Sequence, residues 1–283
     1  MMSRIPRRFF DSHVHSCYSN DSKQTISEIC RMAQDKNLQG ITITDHANMS
    51  ILKEDRTFEN IASSAMEAKQ ADKLCGGKLR VFCGVEISES SDNQDNAQKL
   101  LRTANFDVVI GSVHKVRFKA WEDFYSKIRF DETFSWKDLY GFMWAYFEEL
   151  LCMAEQEDYD VLAHLTCPLR YINGKYHRGF QLDPYEDVIE KILRCLIQRN
   201  KALEINTSGI HGTYNSLMPD ESILNRYYAM GGRLLTLASD AHTPERIGNA
   251  FSETAPLLEK IGFPGYYFYE YRQAHFVPWN NNT

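Results

Sequence analysis

No Cys-x-x-Cys pair occurs in this chain, no apolar run approaches the roughly 20 residues of a membrane span, and positive charge is not in surplus. Each absence excludes a class of function. The seven cysteines, Cys17, Cys30, Cys75, Cys83, Cys152, Cys167 and Cys195, are odd in number and scattered. That pattern is neither a disulfide framework nor a thiolate zinc site, and it fits reduced thiols in the cytoplasm. The start, Met1 to Arg8, is basic but runs into Phe9-Phe10-Asp11 without the apolar segment of a secretory leader. A formal charge of -6 and a pI near 5.9 argue against a nucleic-acid protein held by a basic face. No membrane partner is expected either.

What is present is alternation. At 283 residues, 43% hydrophobic and 25% charged, the chain reads as one globular unit over residues 1–283, with a core of its own. It is organised around Leu234-Leu235-Thr236-Leu237-Ala238-Ser239-Asp240-Ala241-His242, an apolar run of strand length that closes on a carboxylate and an imidazole two residues apart. Taken alone, an Asp and a His at a turn are commonplace. The weight comes from recurrence: apolar runs end on His13-Val14-His15, on Asp45-His46, on Glu86-Ile87, on His114 and on His164. Helical stripes follow, such as Ile26, Ile29, Cys30 and Ala33, and the strand–helix unit repeats seven times. An aromatic-rich insert at about 115–158 interrupts the series. Its second half reads as a long helix from Trp136 with Leu139, Phe142, Met143, Tyr146, Phe147, Leu150 and Leu151 on one packing face, and the loop before it is placed to overhang a site.

Alternation of this kind predicts a parallel sheet with helices outside it. Candidate ligands at the C-terminal ends of six strands favour a barrel, because only a closed ring brings them to one place. Collected, the metal-competent set is His13, His15, Asp21, His46, Glu86, His114, His164, Asp240 and His242. So many imidazoles in one cavity would repel one another when protonated and lack partners when neutral, and divalent cations remove that difficulty. Nitrogen and oxygen ligands without thiolates suit zinc, iron or manganese, and nine candidates exceed the ligands of a single ion, so two to three metals are expected.

These motifs, His13-x-His15 with Asp21, Thr44-Asp45-His46, Gly84-Val85-Glu86, Gly111-Ser112-Val113-His114, Ala163-His164 and Ser239-Asp240-Ala241-His242, resemble in order those of the polymerase and histidinol phosphatase (PHP) family across nearly the whole chain. Glu204-Ile205-Asn206-Thr207-Ser208-Gly209 and the Tyr-rich end look more narrowly like the family's monofunctional histidinol-phosphate phosphatases. The resemblance implies a distorted (β/α)7 barrel of PHP type with three metals at its C-terminal face. His13, His15, Glu86 and Asp240 would hold the first, Glu86, His114 and His164 the second, and Asp21, His46 and His242 the third. Some members carry His where this chain has Asp21, so the third site is the one expected to differ. The implied activity is hydrolysis of L-histidinol phosphate in histidine biosynthesis, a phosphoric monoester hydrolysis in which a metal-bridging hydroxide attacks phosphorus, with Glu86, Asp240 and His242 as catalytic groups.

In the loop after His164, Arg170, His177 and Arg178 are candidates for gripping the phosphate. Two other readings use the same residues: a phosphoesterase or exonuclease for nucleotides or short nucleic acids, and a non-catalytic metal-binding regulatory module. The acidic balance disfavours long duplex substrates, and the intact ligand set disfavours a silent module. A small phosphomonoester is the expected partner.

Overall fold

The computed structural model describes residues 9–279 apart from residues 53 and 120, so the basic start, Met1 to Arg8, where no secretory leader is expected, lies outside the described residues, as does the side chain of Trp121. The strands are β1 (Phe10–Val14), β2 (Gly40–Ile43), β3 (His46–Asn48), β4 (Arg80–Ser88), β5 (Val108–Ser112), β6 (Lys115–Phe118), β7 (Trp121–Phe124), β8 (Val161–Leu162), β9 (Ala202–Asn206), β10 (Leu235–Ala238), β11 (Gly265–Glu270) and β12 (Gln273–Pro278). The helices are α1 (Ile26–Asp35), α2 (Glu54–Cys75), α3 (Gln94–Leu101), α4 (Trp136–Gln156), α5 (Glu186–Gln198), α6 (Glu221–Ala229) and α7 (Phe251–Ile261). None of the described helices is long and apolar enough to cross a membrane.

Seven parallel strands follow one another around the sheet in the order β1, β2, β4, β5, β8, β9, β10. At the C-terminal ends the ring is drawn together: Val14 bridges Ala241, His15 N–H donates to Ala241 O at 3.0 Å, and Asp240 N–H donates to His13 O at 2.9 Å. Nearer the strand starts β10 pairs instead with β11, and the Phe10 N–H donates to the Tyr266 hydroxyl at 2.9 Å. The terminal hairpin β11–β12 is thus wedged beside β1, and that wedge is the distortion of the barrel.

The helices pack as their stripes require. In α1 Ile26, Ile29, Cys30 and Ala33 are buried, and a Thr25–Glu28 capping box starts the helix, with Thr25 N–H donating to Glu28 Oε2 at 2.8 Å. The long insert helix α4 buries Leu139, Phe142, Met143, Tyr146, Phe147 and Leu150, while Leu151 stays half-buried at the margin. Sequence periodicity leaves two features unread. Residues 40–48 form two short strands, not one strand ending on His46, since Thr44 N–H turns to Val14 O at 2.9 Å and β3 then pairs with β4, His46 opposite Glu86. The start of the insert is the antiparallel hairpin β6–β7, not an open loop. Its Phe118 ring lies where a Cβ on Gly141 would stand, 2.6 Å away, so the glycine in the second turn of α4 lets the hairpin seat against the helix.

At the end of α4, Glu157 folds its carboxylate over the turn after β4, accepting from the Ser90 hydroxyl and, at 2.9 Å, from the Ser91 N–H. Burial, joined by Glu89, Glu149 and Asp92 and opposed by the Ser91 N–H, pushes its pKa from the ordinary 4.5 up to about 7. The fold therefore favours the protonated form, and stability is lost as pH rises from the unfolded value of 4.5 through about 7. Replacing Glu157 by Gln is expected to stabilise the protein by about 1–2 kcal/mol at pH 8 and by nothing at pH 4. Thermal melting of both proteins at the two pH values checks this, and an equal shift at both would show that charge is not the cause.

Candidate metal centre

The C-terminal ends of the strands converge on the Glu86 carboxylate, 1% exposed at the end region of β4. Its two oxygens face different rings. Oε1 lies 3.1 Å from His114 Nε2 and 3.0 Å from His164 Nε2. Oε2 lies 3.4 Å from His13 Nε2, 3.6 Å from His15 Nε2 and 2.6 Å from His46 Nδ1. Asp240 Oδ1 completes one side at 3.3 Å from His15 Nε2 and 3.6 Å from His242 Nδ1. Asp21 Oδ2 bridges the open side, 3.4 Å from His46 Nε2 and 3.2 Å from His242 Nε2. All nine residues of the expected ligand set therefore lie in one cluster.

The donor chemistry fits divalent cations. The ring nitrogens of His13 and His15 face each other at 2.9 Å and those of His114 and His164 at 3.3 Å, so lone pairs point into shared space. Glu86 Oε2 and His46 Nδ1, though 2.6 Å apart, do not meet hydrogen-bond geometry, and His164 Nδ1 is buried without a partner; unsatisfied buried donors and acceptors of this kind call for a ligand. Three groups of donors, His15 with His46 and His242, His13 with His15 and Glu86, and His46 with Glu86 and His114, each gather within 4.8 Å.

Electrostatics lean the same way. Burial pushes the Glu86 carboxyl up, but the imidazoles of His114, His46 and His13 more than offset it and hold it well below the usual range. Asp240 is likewise held down against burial by His15, His13 and His242, and Asp21 by His242 and His46. Burial lowers His46, yet Glu86 and Asp21 outweigh it and raise the ring to about 10. His13 also rises, through Glu204 and Glu86, whereas burial and the neighbouring His46 and His242 charges push His15 well down. The carboxylates demand positive charge, supplied either by protons on the rings or by metal ions competing for the same lone pairs. Two of the residues that carry these groups have left-handed backbone, His164 at φ 24° and Asp240 at φ 51°, strain of the kind that collects at functional sites.

Beside the cluster opens a cavity of about 300 Å³, lined by Asp21, His46, His114, His164, Asp240 and His242 together with Arg170 and residues of the insert. The Arg170 guanidinium donates to the Ser208 hydroxyl at 2.8 Å and to Tyr171 OH at 3.1 Å, and sits 3.7 Å from Asp240 Oδ2. Arg178 goes elsewhere: it donates to the carbonyls of Phe130, Asp131 and Phe134 and stacks on Trp136, lacing the insert to the loop. His177 is exposed and does not line the cavity. Of the three phosphate candidates, the structure thus brings only Arg170 to the site.

The PHP domain matches residues 11–208 of this sequence. The chain belongs to the PHP domain family. A probable histidinol-phosphatase of Clostridium acetobutylicum is 30% identical over 264 residues, covering 92% of this chain and 96% of the relative. One of Thermotoga maritima is 31% identical over 258 residues, covering 89% and 92%. The fold is similar to the crystal structure of histidinol phosphate phosphatase from Lactococcus lactis complexed with zinc, L-histidinol and phosphate, at a TM-score of 0.77 and 22% identity over 95% of this chain and 99% of that one.

In this PHP domain the contacts behind the ligands are as ordered as the ligands. Glu204 accepts from His13 Nδ1 at 2.7 Å, from His164 N–H at 3.1 Å and from Asn206 Nδ2 at 2.8 Å, so the His13 proton sits on Nδ1 and Nε2 is free to ligate. Asn48 Oδ1 does the same for His114 Nδ1 at 3.2 Å. Glu204 is legible in sequence as a carboxylate inside an apolar strand, whereas nothing local marks Asn48. The cavity wall also contains Phe124, Tyr125 and Lys127 from the insert, and Tyr171 next to Arg170. Only the aromatic richness of the insert hints at that wall.

Proposed function

We propose that this chain hydrolyses L-histidinol phosphate to L-histidinol and phosphate, in the cytoplasm, with two to three divalent ions, zinc, iron or manganese, at this centre. The observation that carries the reading is the Glu86 carboxylate turning each oxygen to a separate set of imidazoles. The near full-length similarity to probable histidinol-phosphatases supports the substrate, as do the histidinol and phosphate held by the L. lactis protein. His13, His15, Glu86 and Asp240 would hold one ion, Glu86, His114 and His164 a second, and Asp21, His46 and His242 a third. Such ions neutralise phosphoryl charge and make coordinated water acidic near neutral pH.

The chain's own groups do the rest. Arg170, steadied by Ser208 and Tyr171, lines the same cavity as the imidazoles and presents its guanidinium to the phosphate oxygens. His242 lines the same cavity and is placed to supply the proton that the leaving alkoxide needs, whereas Asp240, held ionised by the imidazoles around it, has none to give; His242 Nδ1 lies 3.0 Å from Asp240 O, which keeps that ring oriented. The insert residues Phe124 and Tyr125 shield the leaving group from water.

Phosphate release from histidinol phosphate, sugar phosphates and nucleotides, measured in parallel, tests the proposal. Histidinol phosphate is expected to be preferred by about 100-fold in kcat/KM, on the order of 3 kcal/mol of discrimination. A nucleotide as best substrate overturns the assignment in favour of a nucleotide phosphoesterase, and no release from any substrate favours a silent module. Arg170→Ala should raise KM about tenfold or more with metal content unchanged, since a charge-assisted pair contributes roughly 1.5–3 kcal/mol. Arg178→Ala should leave kcat/KM within about twofold and lower the melting temperature instead, because it removes the hydrogen bonds that lace the insert. Unchanged kinetics in Arg170→Ala would retire it as a phosphate ligand.

A further inference from the structure

One hydroxyl in the centre reaches two imidazole residues at once. Ser19, 4% exposed in the loop after β1, has its Oγ 2.6 Å from Asp45 Oδ1, 3.2 Å from His15 Nδ1 and 3.1 Å from the backbone nitrogen of His46. A serine hydroxyl offers one hydrogen and two lone pairs, so these three partners use it completely. Asp45 is surrounded by donors: the Ser16 N–H and hydroxyl, each at 2.7 Å, and the Ser64 hydroxyl at 2.6 Å. The hydrogen between Ser19 and Asp45 is therefore the serine's own. The His46 N–H takes one lone pair of Oγ, and the His15 ring takes the other by donating through Nδ1. That leaves His15 Nε2 as a bare lone pair directed at Glu86, Asp240 and His13.

We propose that Ser19, oriented by Asp45, is a positioning residue that fixes His15 in its Nδ1–H form and sets the main chain of His46, so that one hydroxyl prepares two rings for metal. The proposal rests on the metal-dependent reading above. Metal-binding imidazoles commonly give their far N–H to a carboxylate or carbonyl. Glu204 does this directly for His13, whereas His15 is served by a carboxylate acting through a serine. Without Ser19, the His15 proton has no acceptor at Nδ1 and is free to move to Nε2, where it blocks the metal.

Zinc-loaded wild-type, Ser19→Ala and Ser19→Thr proteins are titrated with a competing chromogenic chelator. Alongside, the histidine ring nitrogens of zinc-stripped wild type are read by NMR. Ser19→Ala is expected to release zinc about 10- to 100-fold more readily, the usual cost of removing such a partner, and Ser19→Thr to retain it. With zinc saturating, kcat should fall while KM stays within about threefold, since Ser19 touches no substrate group. His15 in the stripped wild type should carry its proton on Nδ1. Zinc held as tightly by a folded Ser19→Ala as by wild type overturns the proposal, and so does a threonine variant that loses zinc as alanine does, which would assign the loss to packing. If Ser19→Ala does not fold, the wild-type spectrum decides: a His15 proton on Nε2 overturns the relay. Wild type that binds no zinc fails the metal-dependent reading itself, an outcome distinct from wild type and Ser19→Ala binding it equally.

Discussion

Glu86→Gln is expected to lower kcat by about 10³-fold or more and to strip metal from the protein, the largest loss of any single substitution here. The reason lies in the division of its oxygens: Oε1 faces His114 and His164, Oε2 faces His13, His15 and His46. An amide keeps one oxygen and turns an NH2 to the other side, and an NH2 neither ligates a cation nor carries the negative charge that drew it. Whichever way the side chain settles, one set of imidazoles loses its carboxylate. Asp21 stands differently. It is more than half exposed and meets only His46 and His242, at the open side of the cavity. Asp21→Asn should therefore lower turnover by about tenfold, with one metal weakened and the pair around Glu86 kept. Metal content and kcat measured side by side distinguish the two, and near wild-type turnover in Glu86→Gln would mean that the nucleophile is generated elsewhere.

How much of this was legible follows from which interactions are local. A strand that ends on a ligand writes both facts into adjacent residues, so Ile41 to His46, Val108 to His114 and Leu235 to His242 disclose the barrel and its catalytic end together. Helical stripes such as that of α1 are equally local. The hairpin β6–β7 was not legible, because its seat depends on Gly141, more than twenty residues away and inside a helix. Arg170 and Arg178 look alike in sequence, eight residues apart in one polar loop. A π-helical turn over Arg170–Lys175 separates them, and π turns recur at functional sites. The first arginine is left at the cavity, while the second reaches the carbonyls of the insert. Ser19 and Asn48 are common polar residues whose roles come wholly from what folding sets beside them.

Stripping the metals with a chelator should abolish phosphate release and leave the domain folded. Turnover is lost because no ion then remains to make a coordinated water acidic or to take up phosphoryl charge, and neither Arg170 nor protonated imidazoles supply that chemistry. The fold survives for two reasons. The strands are hydrogen-bonded in succession from β1 to β10, joined across the remaining gap by backbone bonds at their C-terminal ends, and surrounded by an apolar core that owes nothing to the ions. Charge can also be rebalanced in place: Glu86, Asp240 and Asp21 are held ionised, and His13, His46 and His242 are all raised, His46 to about 10, so near neutral pH protons on the rings replace the departed cations. The same substitution run backwards fixes a sign. Reloading must displace those protons, so metal affinity should fall as pH falls, and calorimetry in buffers of different ionisation heat should report net proton release. Elemental analysis of active protein should give two to three metals per chain, because nine donors exceed the needs of one ion. At most one tightly bound metal, or reloading that releases no protons, would show that the raised imidazoles are not the ligands.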